Sequence, residues 1–189
     1  MAVDLSRLKV LIVDDNAYML TILRTLLHGF SIKTVYESRD PADAFDIVRS
    51  DTVDIIITDY QMDILDGLDF VRLVRTADDS PNPLIPIVMV SAYSERSRVQ
   101  KARDAGVTEF CCKPITARDM FAKLAAIVNA PRAFIRNKSY FGPDRRRQEA
   151  GRTKYQGQER RAGAIAAAAA AAAATSAEGE PDPKSVAAA

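Results

Sequence analysis

The sequence predicts an α/β domain in which helices cover both faces of a parallel sheet, followed by a tail of different character. Over the first 130 residues, five short apolar runs alternate with five stretches of helical periodicity, which is typical of a doubly wound sheet. After residue 130 the chain becomes basic and then rich in alanine. About 130 residues are enough to build one hydrophobic core.

The apolar runs predict strands that are buried on both faces, because several of them contain almost no polar residue. The predicted strands are 9–13, 31–36, 53–59, 85–90 and 107–112. The predicted helices are 18–29, 40–49, 67–77, 94–105 and 116–129. Gly29 and Gly106 are expected to end the first and fourth helices, since glycine is favoured just after a helix. Pro41 lies near the first helical position, where proline is tolerated.

Charge divides the chain into two parts. The 26 basic and 25 acidic residues give a net charge of +1. Residues 1–130 carry a net charge of −4, whereas residues 131–189 carry +5. This balance argues against a uniformly basic nucleic-acid-binding protein and against an acidic disordered chain.

Compartment and metal chemistry are constrained by what the sequence lacks. No apolar run reaches the roughly 18–20 residues that a membrane span needs, and the first residues do not resemble a signal peptide. The cysteines, Cys111 and Cys112, are adjacent and rarely bridge in such an arrangement, so a cytoplasmic location is expected. One histidine and two cysteines do not form a zinc pattern.

Polar residues follow the predicted strands at their carboxyl ends, where ligands bind in open α/β sheets. They are Asp14, Asp15, Asp59, Ser91 and Lys113. Carboxylates gathered at one edge repel each other unless a cation neutralises them, and Mg²⁺ prefers oxygen ligands. An aspartate in such a cluster can accept a phosphoryl group. The sequence therefore predicts a phosphoryl-transfer site at this edge.

Five short motifs lie at these strand ends in a fixed order. They are Val13-Asp14-Asp15, Thr58-Asp59-Tyr60-Gln61-Met62, Leu65-Asp66-Gly67, Val90-Ser91-Ala92 and Cys112-Lys113-Pro114. With them, residues 7–130 resemble the receiver domains of bacterial two-component response regulators, the CheY-like family. The resemblance implies a flavodoxin-like sheet with strand order 2-1-3-4-5.

The resemblance also implies roles for single residues. Asp59 would be the phosphoacceptor. Asp15 would bind Mg²⁺, or Mn²⁺, directly and Asp14 through water, with Asp59 and the backbone carbonyl of Gln61 as further ligands. Lys113 would contact the phosphoryl group, and its bond to the following proline would be cis.

The remaining roles concern switching and rate. Ser91 would move toward the phosphate, Phe110 would occupy the aromatic switch position, and Pro114 would carry the cis bond. Tyr93 and Met62, together with Gln61, would tune the lifetime of the phosphate. The sequence departs from the family pattern at Asp63, where a proline is frequent, and at Phe110, which lacks the hydroxyl of tyrosine.

These features predict a phosphorylation-dependent signalling switch rather than an enzyme with a substrate of its own. A sensor histidine kinase or a histidine phosphotransfer protein would phosphorylate it, and the surface of residues 94–129 would then control an unidentified partner protein. A phosphorylation-linked homodimer is a further expectation. Alternatives are a receiver-like module that is never phosphorylated, a basic tail that binds nucleic acid, and, with a poor motif fit, a haloacid-dehalogenase-type phosphatase.

The tail is expected to be mostly disordered and to begin where the receiver domain, residues 1–130, ends. Residues 131–163 form a basic tail or docking segment, and residues 164–189 form an alanine-rich low-complexity terminus. Gly142-Pro143-Asp144 predicts a turn within the first part. The mixture of aromatic and basic residues over 139–145 is more typical of a docking segment than of a linker.

Overall fold

The computed structural model describes residues 3–63, 65–137 and 140–144. The chain divides into two units, Met1–Arg147 and Gln148–Ala189, and all of the described residues belong to the first. The remainder of the predicted tail, residues 145–189, lies outside the described residues.

Five parallel strands form one sheet in the order β2-β1-β3-β4-β5, which confirms the predicted fold class. The strands are β1 (Lys9–Val13), β2 (Thr34–Ser38), β3 (Ile55–Asp59), β4 (Ile87–Ser91) and β5 (Glu109–Cys112). The register aligns their carboxyl ends: Val13 pairs with Thr58, and Asp59 pairs with Val90. Side chains that follow β1, β3, β4 and β5 therefore lie at one edge of the sheet.

Five helices connect and cover these strands. They are α1 (Ala17–Gly29), α2 (Pro41–Ser50), α3 (Gly67–Thr76), α4 (Arg96–Ala105) and α5 (Ala117–Asn129). The side chains of Asn16, Asp40, Asp66 and Thr116 accept backbone N–H bonds at the starts of α1, α2, α3 and α5. Among the helices of the described residues, none combines the length and the apolar character needed to span a membrane.

Two apolar clusters form on opposite faces of the sheet. Leu11, Ile56 and Met89 point into the cluster that α2, α3 and α4 cover, whereas the strand residues that alternate with them point into the cluster that α1 and α5 cover. Burial of each large aliphatic side chain contributes about 1.5–3 kcal/mol to folding. The sheet is thus held between two hydrophobic layers, and its carboxyl edge is left for polar side chains.

The predicted second strand begins too early. Residues 31–36 were expected to be extended, but β2 begins at Thr34 because the preceding residues complete the end of α1. The Ser31 N–H donates to the His28 carbonyl oxygen at 2.9 Å, and the Ile32 N–H donates to Leu27 at 3.1 Å. Ser31 has a φ of 67°, in the left-handed region that commonly ends a helix.

The expectation of disorder from residue 131 is wrong for the segment that follows α5. Strand β6 (Phe134–Asn137) pairs antiparallel with β7 (Tyr140–Pro143), and we call this pair the C-terminal hairpin. Gly142 and Pro143 lie in β7 rather than in the predicted turn. These two strands belong to the same compact unit, Met1–Arg147, as the five-stranded sheet.

The C-terminal hairpin is stabilised by contacts with the domain, which local sequence patterns do not reveal. Its Phe134 ring lies 5.1 Å from the guanidinium carbon of Arg75, a side chain at the end of α3 that is only 1% exposed. Arg75 also donates to the carbonyl oxygens of Gly106 and Pro83 at 2.8–3.1 Å. Arg132 donates to the Thr108 carbonyl oxygen at 2.9 Å. These contacts precede β4 and β5, so the hairpin lies near the amino edge of the sheet.

Candidate functional site

The carboxyl edge of the sheet contains a cleft of about 300 Å³, which we call the acidic cleft. Loops that follow four of the five strands form its walls. Its lining residues are Asp14, Asp15, Asn16, Asp59, Tyr60, Gln61, Ser91, Ala92, Tyr93 and Lys113. The cleft thus brings together seven of the ten residues that the sequence analysis assigned to the site.

Lys113 contacts two carboxylates of the acidic cleft. Its ammonium nitrogen lies 2.8 Å from Asp59 Oδ1 and 3.3 Å from Asp14 Oδ2. Asp14 is 1% exposed and Asp59 is 7% exposed, so both carboxylates are largely removed from water. Lys113 is placed there because it directly follows β5, and its backbone N–H donates to the Ser91 carbonyl oxygen at 2.7 Å.

The pKa shifts in the acidic cleft follow from this arrangement. Burial raises the pKa of the Asp14 carboxyl group, and the negative charge of Asp59 adds to the increase. The hydrogen bond from the Asn16 N–H and the charge of Lys113 oppose the increase without cancelling it. Burial acts against the charge of Lys113, but its hydrogen bond and ion pair with Asp59, and then Asp14, outweigh burial and raise its pKa.

Asp15 is oriented differently from the other two carboxylates. Its Oδ2 accepts a hydrogen bond of 3.2 Å from the backbone N–H of Asp63. The guanidinium Nε of Arg39 donates to the Asp15 carbonyl oxygen at 3.0 Å. The departure at Asp63 therefore has a structural consequence, since proline there would have no N–H to donate to Asp15.

Backbone N–H groups position the remaining polar side chains. The Gln61 N–H donates to Asp59 Oδ2 at 3.2 Å, and the Tyr93 N–H donates to Ser91 Oγ at 3.1 Å. Ser91 is 1% exposed at the end of β4, so its hydroxyl faces the interior of the cleft rather than solvent.

Three of the predicted site residues do not line the acidic cleft. Phe110, on β5, is half-buried and packs against the apolar cluster under α2, α3 and α4, and Met62 is 6% exposed within the same cluster. The Lys113–Pro114 bond is cis, as the resemblance implies. The proposed roles of Phe110 in switching and Met62 in tuning remain predictions.

Several residues that shape the site have no role predicted from the sequence. Asn16 lines the cleft and caps α1, accepting from the Tyr18 N–H at 2.9 Å. Gly67 lies against the phosphoacceptor candidate: a Cβ at this position would lie 2.0 Å from the Asp59 carbonyl oxygen. Asparagine directly before a helical pattern was a readable capping signal, whereas the contact of Gly67 depends on tertiary packing.

The donor chemistry of the acidic cleft fits Mg²⁺ or Mn²⁺. The carboxylates of Asp14, Asp15 and Asp59 and the backbone carbonyl of Gln61 are oxygen donors, the type that these ions prefer. Within the described residues, no three Asp, Glu, His or Cys side chains are already gathered as a ligand set. The carboxylates of Asp14, Asp15 and Asp59 together carry more negative charge than the single ammonium group of Lys113 balances, and a divalent cation would neutralise the remainder.

A family model for the response regulator receiver domain matches residues 10–125. The match covers more than half of the chain and includes every residue of the acidic cleft. The chain therefore belongs to the response regulator receiver family, and it is a CheY-like receiver domain of two-component signalling with a C-terminal extension.

Similar proteins include chemotaxis proteins from two bacteria. The chain is 34% identical over 120 residues to chemotaxis protein CheY of Pseudomonas aeruginosa, covering 64% of this chain and 95% of that protein. It is 29% identical over 120 residues to CheY-3 of Vibrio cholerae, covering 64% of this chain and 91% of that protein.

Similarity to a solved structure extends to the fold. The structure of Vibrio cholerae chemotaxis protein CheY4 has a TM-score of 0.59 and 24% sequence identity, covering 64% of this chain and 98% of that one. At this level of identity the comparison supports the fold alone.

Proposed function

We propose that this receiver domain is a phosphorylation-dependent switch in which Asp59 accepts a phosphoryl group. The observation that carries the proposal is the contact of Lys113 with both Asp59 and Asp14, two buried carboxylates of one cleft. A buried aspartate beside a mobile cation and a buried hydroxyl has what an acyl phosphate needs: a nucleophile, and groups that neutralise and bind the transferred oxygens.

In the proposed reaction, an Asp59 carboxylate oxygen attacks phosphorus and forms a new P–O bond. The bond from phosphorus to the donor breaks, and its electron pair leaves with the donor, which is a phosphohistidine nitrogen or a carboxylate of a small acyl phosphate. The Lys113 ammonium group, which pairs with the Asp59 carboxylate before the reaction, then pairs with a phosphoryl oxygen. The Ser91 hydroxyl turns from its Tyr93 N–H partner to donate to one of these oxygens.

A divalent cation bound by Asp14, Asp15, Asp59 and the Gln61 carbonyl would neutralise the phosphoryl oxygens and the attacking carboxylate together. The chain's own residues keep the carboxylates in position without it. The Gln61 N–H holds Asp59, and the Asp63 N–H holds Asp15.

The output surface of the proposed switch consists of α4, β5 and α5. β5 links the cleft to this surface because Lys113 directly follows it and Phe110 lies within it. New contacts of Ser91 and Lys113 with a phosphoryl group would favour one of two arrangements of this surface. A sensor histidine kinase or a phosphotransfer protein is the proposed donor, and a protein that reads the α4–β5–α5 surface is the proposed target.

Intact-mass spectrometry after incubation with acetyl phosphate tests this proposal. We expect one added phosphoryl group in the presence of Mg²⁺, none with a chelator, and none in Asp59→Asn under either condition. Asp78→Asn is the matched control, because Asp78 is an exposed aspartate in the loop after α3. Equal labelling of Asp59→Asn and wild type would refute Asp59 as the acceptor, and no labelling of wild type would favour a constitutive binding module.

A further inference from the structure

A cation held between two tyrosine rings lies beside the acidic cleft. The guanidinium carbon of Arg98, in the first turn of α4, lies 4.1 Å from the ring centre of Tyr93 and 5.3 Å from that of Tyr60. Both tyrosines line the cleft, whereas Arg98 is not part of its lining. A guanidinium group placed over the face of an aromatic ring at such a distance is attracted by the negative charge of the ring face.

The two rings differ in how firmly the rest of the fold holds them. Tyr60 is 8% exposed and belongs to the apolar cluster under α2, α3 and α4. Its backbone is also fixed, since its N–H donates to the Val90 carbonyl oxygen at 2.7 Å and its carbonyl oxygen accepts from Gly67 at 3.0 Å. Tyr93 is 46% exposed in the loop between β4 and α4. Arg98 therefore links the exposed ring of Tyr93 to the buried ring of Tyr60, which the fold holds in place.

We infer that Arg98 is a positioning residue that holds the Tyr93 ring over the acidic cleft and so limits how fast small phosphodonors and water reach Asp59. This inference rests on the proposed phosphorylation of Asp59. A second link strengthens it: the Tyr93 N–H donates to Ser91 Oγ, so the loop that carries the ring also holds the hydroxyl proposed to bind the phosphate.

The contact of Arg98 with the two tyrosine rings depends on its planar guanidinium group. Arginine stacks on aromatic rings, whereas the lysine ammonium group is a compact, strongly hydrated charge. The ion pair of Arg98 with Glu95 is long, at 3.9 Å, and Glu95 is exposed, so the two rings are the stronger partners. Loss of one contact of about 1 kcal/mol corresponds to about a fivefold increase in the population with Tyr93 displaced.

The test compares Arg98→Ala, Tyr93→Ala and the double variant with wild type in the full chain. Two rates are measured with Mg²⁺: phosphorylation by acetyl phosphate, and loss of the phosphoryl group after the donor is removed. We expect both rates to rise about threefold to fivefold in Arg98→Ala, because acetyl phosphate and water enter by the same opening. Arg98→Lys is expected to lie between Arg98→Ala and wild type.

The double variant separates positioning from a general structural effect. If Arg98 acts through Tyr93, adding Arg98→Ala to Tyr93→Ala changes neither rate further, whereas independent effects would multiply. Arg103→Ala is the matched control, since Arg103 is an exposed arginine of the same helix that pairs with its neighbour Asp104. A resonance of the Arg98 side chain shifted by the ring in wild type is expected to move in Tyr93→Leu.

Unchanged rates in Arg98→Ala, or multiplied effects in the double variant, would overturn the inference while wild type still labels on Asp59. Lower rates in Arg98→Ala, accompanied by a lower melting temperature, would also overturn it, because they indicate a role in stability alone. Wild type that takes no phosphoryl group would instead refute the proposed function, and this inference with it.

Discussion

The acidic cleft and the C-terminal hairpin lie at opposite edges of the same sheet, and each is organised around a cation: the half-buried Lys113 and the buried Arg75. In the cleft, Lys113 contacts two carboxylates. Near the hairpin, Arg75 contacts the carbonyl oxygens of Gly106 and Pro83 and the ring of Phe134. Burial lowers the pKa of Arg75 to about 10, which leaves it charged at neutral pH.

The two cations differ in whether their contacts can change. A ligand in the cleft can alter the contacts of Lys113, whereas the contacts of Arg75 stay the same. Lys113 lies among negative charges that its own charge does not fully balance, so a metal ion or a phosphoryl group can alter its position. Arg75 has neutral partners on three sides and is 1% exposed, and nothing in the proposed reaction changes its surroundings. Removal of Lys113 should therefore affect chemistry above all, and variants at the hairpin should affect stability.

Replacing the cation of the cleft should have the largest effect. Lys113→Ala is expected to reduce the rate of Mg²⁺-dependent phosphorylation about a hundredfold, because a preorganised positive group near the developing charge is lost. The rate is measured by intact mass with acetyl phosphate. Lys101→Ala, an exposed lysine on α4, is the control. A Lys113→Ala rate equal to that of wild type would contradict the proposed role of the cleft.

A variant of the hairpin should produce the opposite pattern. A Cβ at Gly142 would lie 2.7 Å from the Gly106 Cα and 2.6 Å from the Tyr140 hydroxyl oxygen. Gly142→Ala is thus expected to lower the free energy of unfolding by about 1–3 kcal/mol and to speed amide exchange in the hairpin. Phosphorylation should persist. Urea unfolding and hydrogen exchange measure these effects.

Gly29→Ala provides the matched control for the hairpin variant, because a Cβ at Gly29 has nothing within 4 Å. Its stability should stay close to that of wild type. If Gly142→Ala is as stable as Gly29→Ala, the hairpin does not pack on the domain as described.

The acidic cleft and the C-terminal hairpin also differ in how far the sequence predicts them. The five strands, the five helices and the edge that holds Asp14, Asp59 and Lys113 follow from local patterns: apolar runs, helical periodicity and polar residues at strand ends. Strand order and the roles of single residues came from the resemblance to receiver domains. Seven of the ten assigned site residues line the cleft because strand ends in a parallel sheet meet at one edge.

The features that sequence reasoning missed depend on contacts between distant residues. Two strands of four residues form a hairpin that is marginal alone, and its stability comes from Arg75 and the end of α4. The contact of Arg98 with Tyr60 and Tyr93 likewise joins three elements. No periodicity in a single segment predicts such contacts, and composition alone favoured a disordered tail.

A smaller effect is expected from removing one carboxylate of the cleft. Asp14→Asn should raise the free energy of unfolding at pH 7 by about 0.5–2 kcal/mol. The sign follows from the raised pKa of Asp14: the folded state binds its proton more tightly than the unfolded state, so stability is lost as pH rises through and above the ordinary value of 3.8.

The stabilisation by Asp14→Asn should therefore be absent below pH 3.8 and present at neutral pH. Urea unfolding of wild type and Asp14→Asn, below pH 3.8 and at pH 7, measures the difference in their free energies of unfolding. Phosphorylation is assayed in parallel. A variant less stable than wild type at pH 7 would show that Lys113 compensates Asp14 fully. Asp43→Asn, on the exposed face of α2, is the control variant and is unfolded under the same conditions.

The most direct measurement locates the phosphoryl group within the chain. Protein treated with acetyl phosphate and Mg²⁺ is reduced with sodium borohydride, which converts an aspartyl phosphate into homoserine, and peptides are then sequenced by mass spectrometry. We predict homoserine at Asp59 alone, and only when Mg²⁺ and the donor are both present. Homoserine at Asp14 or Asp15, or at no position, would contradict the assignment of Asp59 as the residue through which this receiver is switched.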